Sequence, residues 1–317
     1  MNLAAAYTFA WRNATRIPEP VLRGLFTVVA DVAWLRHGKS VRRLEANYAR
    51  VRPELDAAAV RRLSRAGMRS YMRYFREAFT LQGLSPERLG ARVRVEGYDE
   101  HIRPVVDGGG AAALALGHLG NWDLAGAYGS RYLADVLTVA ERLKPDELFD
   151  EFVRFRSSMG IEVLALGNGD TLGALVRGAK EGRKLIPLLS DRDLTSTGVE
   201  VDLAGHRARV AAGPALLALH ADIPVHAVGI IYERLRGARR RAAGTPWGIV
   251  IRFHPPLPVP DAGLPSDEQV RLLTQGWVDQ VAQTIVEHTD DWHMLQRVFV
   301  ADLGPAPRRA ADARGAG

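Results

Sequence analysis

The 317-residue chain contains no cysteine. That absence removes thiol nucleophiles, disulfide bridges and thiolate metal ligands together, and it suits a reducing compartment. No apolar run approaches the ~20 residues of a membrane-spanning helix, so no transmembrane segment is expected. The start at Met1 lacks a basic stretch followed by an apolar secretory core and cleavage site, and export is not expected. There is no Gly-x-Ser-x-Gly elbow to carry a serine nucleophile. There is no His-Glu-x-x-His or other metal-ligand spacing. Gly167-Asn168-Gly169-Asp170 suits a turn and helix cap, not a dinucleotide fingerprint.

What is present is an ordinary globular composition, 47% hydrophobic and 25% charged, in a chain long enough for one large α/β domain or two small ones. The net charge of +6 is unevenly placed. Residues 1–110 carry 19 Arg or Lys against 11 Asp or Glu, and the remainder carries 23 against 25. A basic N-terminal third suits an anionic partner: a membrane surface, a phosphorylated substrate or nucleic acid. It equally suits a solvated surface from an arginine-rich proteome.

Residues 1–83 read as helical. Over 21–36, Leu22, Leu25, Phe26, Val29, Val32, Ala33 and Leu35 recur at helical spacing between Arg23, Asp31 and Arg36. This helix fits either a face docked on the rest of the chain or one lying in a membrane interface through Leu22, Phe26 and Trp34. Residues 57–80 form a second helix. Its stripe of Met68, Tyr71, Met72, Tyr74, Phe75 and Phe79 suits core packing or the wall of a lipid-facing groove.

Between about 90 and 255, strands at 93–97, 111–116, 136–140, 161–165, 185–189, 199–203, 225–231 and 249–253 alternate with helices at 121–132, 146–159, 171–180 and 213–221. The alternation predicts an α/β fold: a mostly parallel twisted central sheet flanked by helices. A long amphipathic helix follows at 267–288. Residues 235–243 read as an exposed basic loop. The expected organisation is an N-terminal amphipathic helical part, 1–83, packed on an α/β core, 84–303, as one domain, with a disordered tail at 304–317.

Sites in such sheets form beyond the carboxyl ends of the strands. His118 follows the strand at 111–116, and Asp191 and Asp193 follow the strand at 185–189, so they share one edge. An imidazole there can take a proton from a hydroxyl, and a carboxylate within reach fixes its tautomer. The residues alone leave either Asp123 or Asp191 as that carboxylate. They also allow His118 a purely structural place, Asp123 a role as a first-turn acid favoured by the helix dipole, and Gly117 and Gly120 a role in the turn alone. Backbone N–H groups near Gly120 and Asn121 suit a developing oxyanion. Arg142, Lys144 and Arg156 suit phosphate, or pairing with Asp146, Glu147 or Glu151. His293, beside Trp292, reads as structural.

Gly117-His118-Leu119-Gly120-Asn121-Trp122-Asp123 resembles the His-x4-Asp motif of the glycerolipid acyltransferases. Its Gly-Asn-Trp-Asp context is closer to the lipid A late (lauroyl/myristoyl) acyltransferase superfamily, and within it the chain looks most like the actinobacterial phosphatidylinositol mannoside acyltransferases. The segments 138–145, 152–156, 191–194 with Gly198-Val199, and Asp291-Trp292-His293-Met294-Leu295-Gln296 add to the resemblance in the expected order. It implies a glycerolipid-acyltransferase-like fold. It implies transfer of a long-chain acyl group, palmitoyl, from acyl-CoA as co-substrate to the 6-hydroxyl of a mannose of phosphatidylinositol mono- or dimannoside. The setting implied is the cytoplasmic face of the inner membrane: a peripheral monomer on an anionic surface, with no cofactor, no metal and no nucleic-acid partner.

By motif, the resemblance makes His118 the general base, without a covalent acyl-enzyme. Asp191 is its acidic partner, and Asp123 supports the geometry. Glu141, Arg142 and Arg156 line the polar end of the cleft, with Lys144 beside them. Thr197 and His220 lie near the acyl donor. Mycobacterial members commonly carry Glu where Asp191 stands, so the shorter Asp is expected to need a repositioned backbone or a bridging water to reach His118. The neighbouring readings are a lipid A type acceptor, a non-catalytic peripheral lipid-binding protein and a thioesterase-like hydrolase.

Overall fold

In the computed structural model, which describes residues 14–142, 146–166, 170–193 and 198–303, the strand leading to His118 lies inside a seven-stranded sheet. The strands are β1 (Val93–Glu96), β2 (Ala112–Leu116), β3 (Asp135–Ala140), β4 (Ile161–Ala165), β5 (Lys184–Leu189), β6 (Val199–Leu203), β7 (His206–Val210), β8 (Val225–Arg234) and β9 (Trp247–Pro256). The large sheet has the order β1-β9-β8-β2-β5-β3-β4, and β6 and β7 stand apart as a pair. Every pairing in the large sheet is parallel except β8 with β9, as the alternating pattern leads one to expect.

The helices are α1 (Glu19–Leu35), α2 (Lys39–Val51), α3 (Ala57–Thr80), α4 (Pro86–Arg92), α5 (Arg103–Asp107), α6 (Trp122–Tyr132), α7 (Asp146–Ser158), α8 (Thr171–Lys180), α9 (Gly213–Ala221), α10 (Gly237–Ala243) and α11 (Ser266–Glu287). Strand β2 reads Ala-Ala-Leu-Ala-Leu and is buried throughout, as a parallel strand covered on both faces must be. Ala113 and Ala115 pack with Leu175 of α8, Leu217 of α9 and Trp277, Val281 and Ile285 of α11. Ala112, Leu114 and Leu116 face the other way, toward Leu124 and Ala127 of α6 and Phe155 of α7. The two faces follow the two-residue period of a strand.

Two local expectations change. Residues 199–203 do form a strand, but it pairs antiparallel with β7 rather than joining the large sheet. The turn is Ala204-Gly205, both at positive φ. That geometry is usually announced by Asn-Gly or Asp-Gly, so the Ala hides the hairpin. Residues 235–243 are not a plain loop. Gly237–Ala243 winds into α10 and stops at Gly244, at φ +67, whose N–H reaches back to the carbonyls of Arg240 and Arg241. An arginine-rich stretch without apolar periodicity conceals so short a helix.

For α1, the structure selects the docked one of the two readings its sequence allows. Leu22 and Ala30 are buried, Phe26 packs on Phe79, and Trp34 donates to the Arg61 carbonyl and Ser64 Oγ. The side chains expected at a membrane, Leu22, Phe26 and Trp34, are thus the docked face. The outer face nevertheless stays apolar: Val21, Leu25, Val28, Val29, Val32 and Leu35 are all exposed. No helix among the described residues is long and apolar enough to cross a membrane.

Candidate functional site

The sheet register brings the pair together. Leu116 of β2 stands opposite Leu189 of β5, and His118 and Asp191 each lie two residues further along neighbouring parallel strands. His118 Nδ1 is 2.5 Å from Asp191 Oδ1, and the His118 backbone N–H donates to Asp191 Oδ2 at 2.9 Å. Trp292 Nε1–H donates to the same Oδ2 at 2.9 Å. No bridging water is needed to span the pair. The shorter side chain reaches because the carboxylate lies against the backbone of His118 as well as its ring. Burial works to raise the Asp191 pKa, but the charge and hydrogen bonds of His118 and the Trp292 donor outweigh it and hold the carboxyl below its usual value.

The other wall of the loop is the segment 288–294. The Gly120 N–H donates to the Asp291 carbonyl, and the His293 N–H to the His118 carbonyl. Gly120 sits at φ +57, where an added Cβ would lie 2.4 Å from the Ile230 carbonyl oxygen, so only glycine fits that corner. With its N–H already given to Asp291, Gly120 is no longer an oxyanion donor. Leu124 N–H is also taken, by the capping oxygen of Asn121. Asn121 in turn donates to Glu77 Oε2, which receives the Tyr232 hydroxyl as well.

Asp123 is buried and does not touch His118. It accepts the Tyr74 hydroxyl at 2.7 Å and Arg156 Nε–H at 2.8 Å. Arg156 is therefore paired with Asp123, while Glu151 pairs with Arg154; the side chains of Asp146 and Glu147 lie outside the described residues. Arg156 also stacks on Phe152. Its terminal nitrogens have no partner among the described residues. The aromatic stripe of α3 packs on this loop, with Tyr74 4.1 Å from the Trp122 ring centroid. Trp122 also lies 5.6 Å from the His118 ring.

Beneath α6 runs a narrow cavity of about 80 Å³. Its walls are almost wholly apolar, including Leu116, Leu189, Val228 and Ile230 of the sheet and Gly126 of α6. Among the described residues, only Trp122, Asp123, Thr138 and Arg156 bring polar side chains to it. His118 does not line this space but adjoins two residues that do, Leu116 two positions earlier in the chain and Trp122 with ring centroids 5.6 Å apart.

Other expected site residues are less closely gathered. Glu141 and Arg142 are exposed just beyond the carboxyl end of β3, with Arg142 over the Phe149 ring. Lys144 and Thr197 lie outside the described residues. His220 is not brought to the site. It lies near the end of α9, five residues before β8 begins, hence at the amino edge of the sheet, and its Nδ1 meets the Leu216 carbonyl. Asp193 shares the strand end with Asp191 but binds elsewhere, its N–H donating to the Arg209 carbonyl.

Sequence reasoning missed the supporting groups. Trp292 fixes Asp191, and Tyr74 fixes Asp123. Asp291 accepts Ser70 Oγ–H and the Tyr232 N–H. Burial and neighbouring Asp290 raise the Asp291 pKa to about 6. Burial lowers that of His293 to about 3; its Nε2 meets Ser70 Oγ, and its Nδ1 has no partner among the described residues. The one available signal was the polar run Asp291-Trp292-His293 after a long helix.

An imidazole locked by a buried carboxylate at the carboxyl end of a parallel strand, next to Leu116 and Trp122 of an apolar cavity, defines an α/β protein with a candidate general base. The chain belongs to the bacterial lipid A biosynthesis acyltransferase family, whose pattern matches residues 2–300. It is 36% identical over 304 residues to the phosphatidylinositol mannoside acyltransferase of Mycolicibacterium smegmatis, covering 95% of this chain and 93% of that protein. It is 35% identical over 305 residues to the enzyme of the same name from Mycobacterium tuberculosis, covering 96% and 90%.

Proposed function

We propose that the protein moves a long-chain acyl group, palmitoyl, from acyl-CoA to the 6-hydroxyl of a mannose of phosphatidylinositol mono- or dimannoside. The observation that carries this reading is the direct His118–Asp191 contact, adjoining Leu116 and Trp122 of the apolar cavity. The carboxylate only accepts, so Nδ1 carries the ring proton and Nε2 keeps its lone pair. His118 Nε2 takes the proton of the mannose hydroxyl as its oxygen attacks the thioester carbonyl. The tetrahedral intermediate collapses, the C–S bond breaks, and the imidazolium returns its proton to the departing CoA sulfur. No residue is acylated.

The acyl chain enters the cavity under α6. Asp123 holds Tyr74 and Arg156 in place, and Arg156 presents its terminal nitrogens to phosphate at the polar end. Glu141, Arg142, Lys144 and Thr197 belong to the donor and acceptor approach. The two mycobacterial relatives support the acceptor. The protein works from the cytoplasmic face of the inner membrane, resting on it through the outer face of α1.

The test is acyl transfer in vitro from radiolabelled palmitoyl-CoA, with a panel of mannosylated phosphatidylinositols, a lipid A precursor and no acceptor. The expected result is a labelled mannoside with stoichiometric CoA. CoA release that ignores the acceptor would instead identify a thioesterase, and label on the lipid A precursor alone would reassign the acceptor.

A further inference from the structure

Away from the His118 loop, α1, α3, α4 and the turn after α10 line a second cleft of about 290 Å³. Three of its charged residues engage one another: Arg76 bridges Glu19 at 2.5 Å and Glu77 at 2.9 Å. Arg92 does not join them. It is 7% exposed, and its one hydrogen bond is a long contact from Nε–H to the Ala243 carbonyl, 3.4 Å. No carboxylate pairs with it among the described residues. Burial pulls its pKa below the usual arginine value. Arg88, one helical turn earlier, lines the same cleft, and its guanidinium also has no partner among the described residues. Glu77 and Glu19 attract Arg92 only from a distance; a nearly buried guanidinium without a hydrogen-bonded anion is costly, and a bound anion reduces that cost.

The rim says what kind of anion. Ile17 and Pro18 lie at the cleft, and the exposed apolar row of α1 runs on from them through Val21, Leu25 and Val28. On the same flank Arg23, Arg234, Arg236 and Arg240 line a further hollow. An anion binder bordered by an apolar strip and more guanidinium groups matches a phosphate that carries hydrocarbon chains. We infer that the cleft binds the phosphodiester of an anionic phospholipid headgroup through Arg92 and Arg88, separately from acyl transfer. The assignment rests on the membrane contact of α1 proposed above, but not on the transfer chemistry. Glu77 links the cleft wall to Asn121 and hence to the start of α6, so a lipid seated there anchors the site loop directly over the bilayer.

The test is binding of the full chain to phosphatidylcholine vesicles with and without phosphatidylglycerol. Arg92→Lys and Arg88→Lys keep the net charge and remove the forked donor. Each is expected to weaken binding to the phosphatidylglycerol vesicles by about tenfold, leaving the weak binding to phosphatidylcholine unchanged. Thermal unfolding checks that both variants are folded, and the exposed Arg88 serves if Arg92→Lys is not. Unchanged binding in the folded variants overturns the proposal, since diffuse charge alone then accounts for attachment. Glycerophosphoglycerol is expected to compete with the vesicles and inorganic phosphate is not. Equal competition by inorganic phosphate would mark a free-phosphate site and overturn the lipid assignment.

Discussion

Asp191 does three jobs with two oxygens: it orients the His118 ring, ties down the His118 backbone and receives Trp292. Asp191→Asn keeps the size but supplies an amide that can donate to Nδ1, which favours the opposite tautomer. Acyl transfer is expected to fall about 10²–10⁴-fold in kcat, with the acceptor KM little changed; steady-state kinetics on the purified variant reads this. Undiminished kcat would deny the pair its role. The His118 end of the pair was legible in the sequence because the Gly-His-x-Gly-Asn-Trp-Asp corner is compact. Its partner was legible only as one of two acids. The choice depends on the Leu116–Leu189 register and on the Tyr74 and Arg156 side chains that occupy Asp123, and no local pattern encodes either.

Asp291 offers a second test at this scale. Its carboxyl is raised from 3.8 to about 6, so its contribution to stability is complete below pH 3.8 and is lost as pH rises through about 6. Asp291→Asn keeps an acceptor for the Tyr232 N–H and can donate to Ser70 Oγ. It is expected to raise stability above pH 7 by on the order of 2–3 kcal/mol, with no gain near pH 4. Denaturant titrations at the two pH values read the difference. His293 has the opposite sign: its contribution is complete above pH 6.5 and is lost as pH falls toward about 3.

At the scale of elements, α1 carries two apolar faces, and the sequence alone could not say which one docks. Periodicity marks a stripe, but only the position of α3 decides that Leu22 and Trp34 turn inward. Val28→Glu and Val32→Glu are expected to leave thermal stability within about 0.5 kcal/mol, as for other surface changes. The pair should lower vesicle partitioning by tenfold or more, since each buried Val contributes about 1.5–3 kcal/mol. Unaltered partitioning would leave the outer face of α1 without a membrane role. The β6–β7 hairpin makes an independent point. Ala204 sits at φ +53, where Asn is tolerated far better. Ala204→Asn is therefore expected to stabilise the protein by about 0.5–1 kcal/mol, measured by thermal or urea unfolding. The same residue explains why the hairpin was invisible in the sequence.

Across the whole molecule, the alternation of strands and helices was readable because each buried strand is a short apolar run closed by Gly, Pro or charge. The antiparallel β8–β9 pair was not distinguished from its parallel neighbours, since both strands are buried on both faces and alternate no more than the rest. The basic N-terminal third also acquires a location. Its arginines stack on Trp34, pair with Asp31 and line the second cleft, beside or behind the apolar row of α1. Vesicle attachment should therefore weaken as salt rises toward the ~8 Å screening length of physiological buffer and beyond, yet retain a salt-resistant remainder owed to Val21, Leu25 and Val28.

The role of the His118 ring as the base in acyl transfer is tested most directly by His118→Ala, assayed with palmitoyl-CoA and phosphatidylinositol dimannoside after circular dichroism and thermal unfolding have established that the variant is folded. Labelled product should fall by at least about 10²-fold while vesicle binding stays at the wild-type level. A folded His118→Ala protein that acylates the mannoside at the wild-type rate would contradict it.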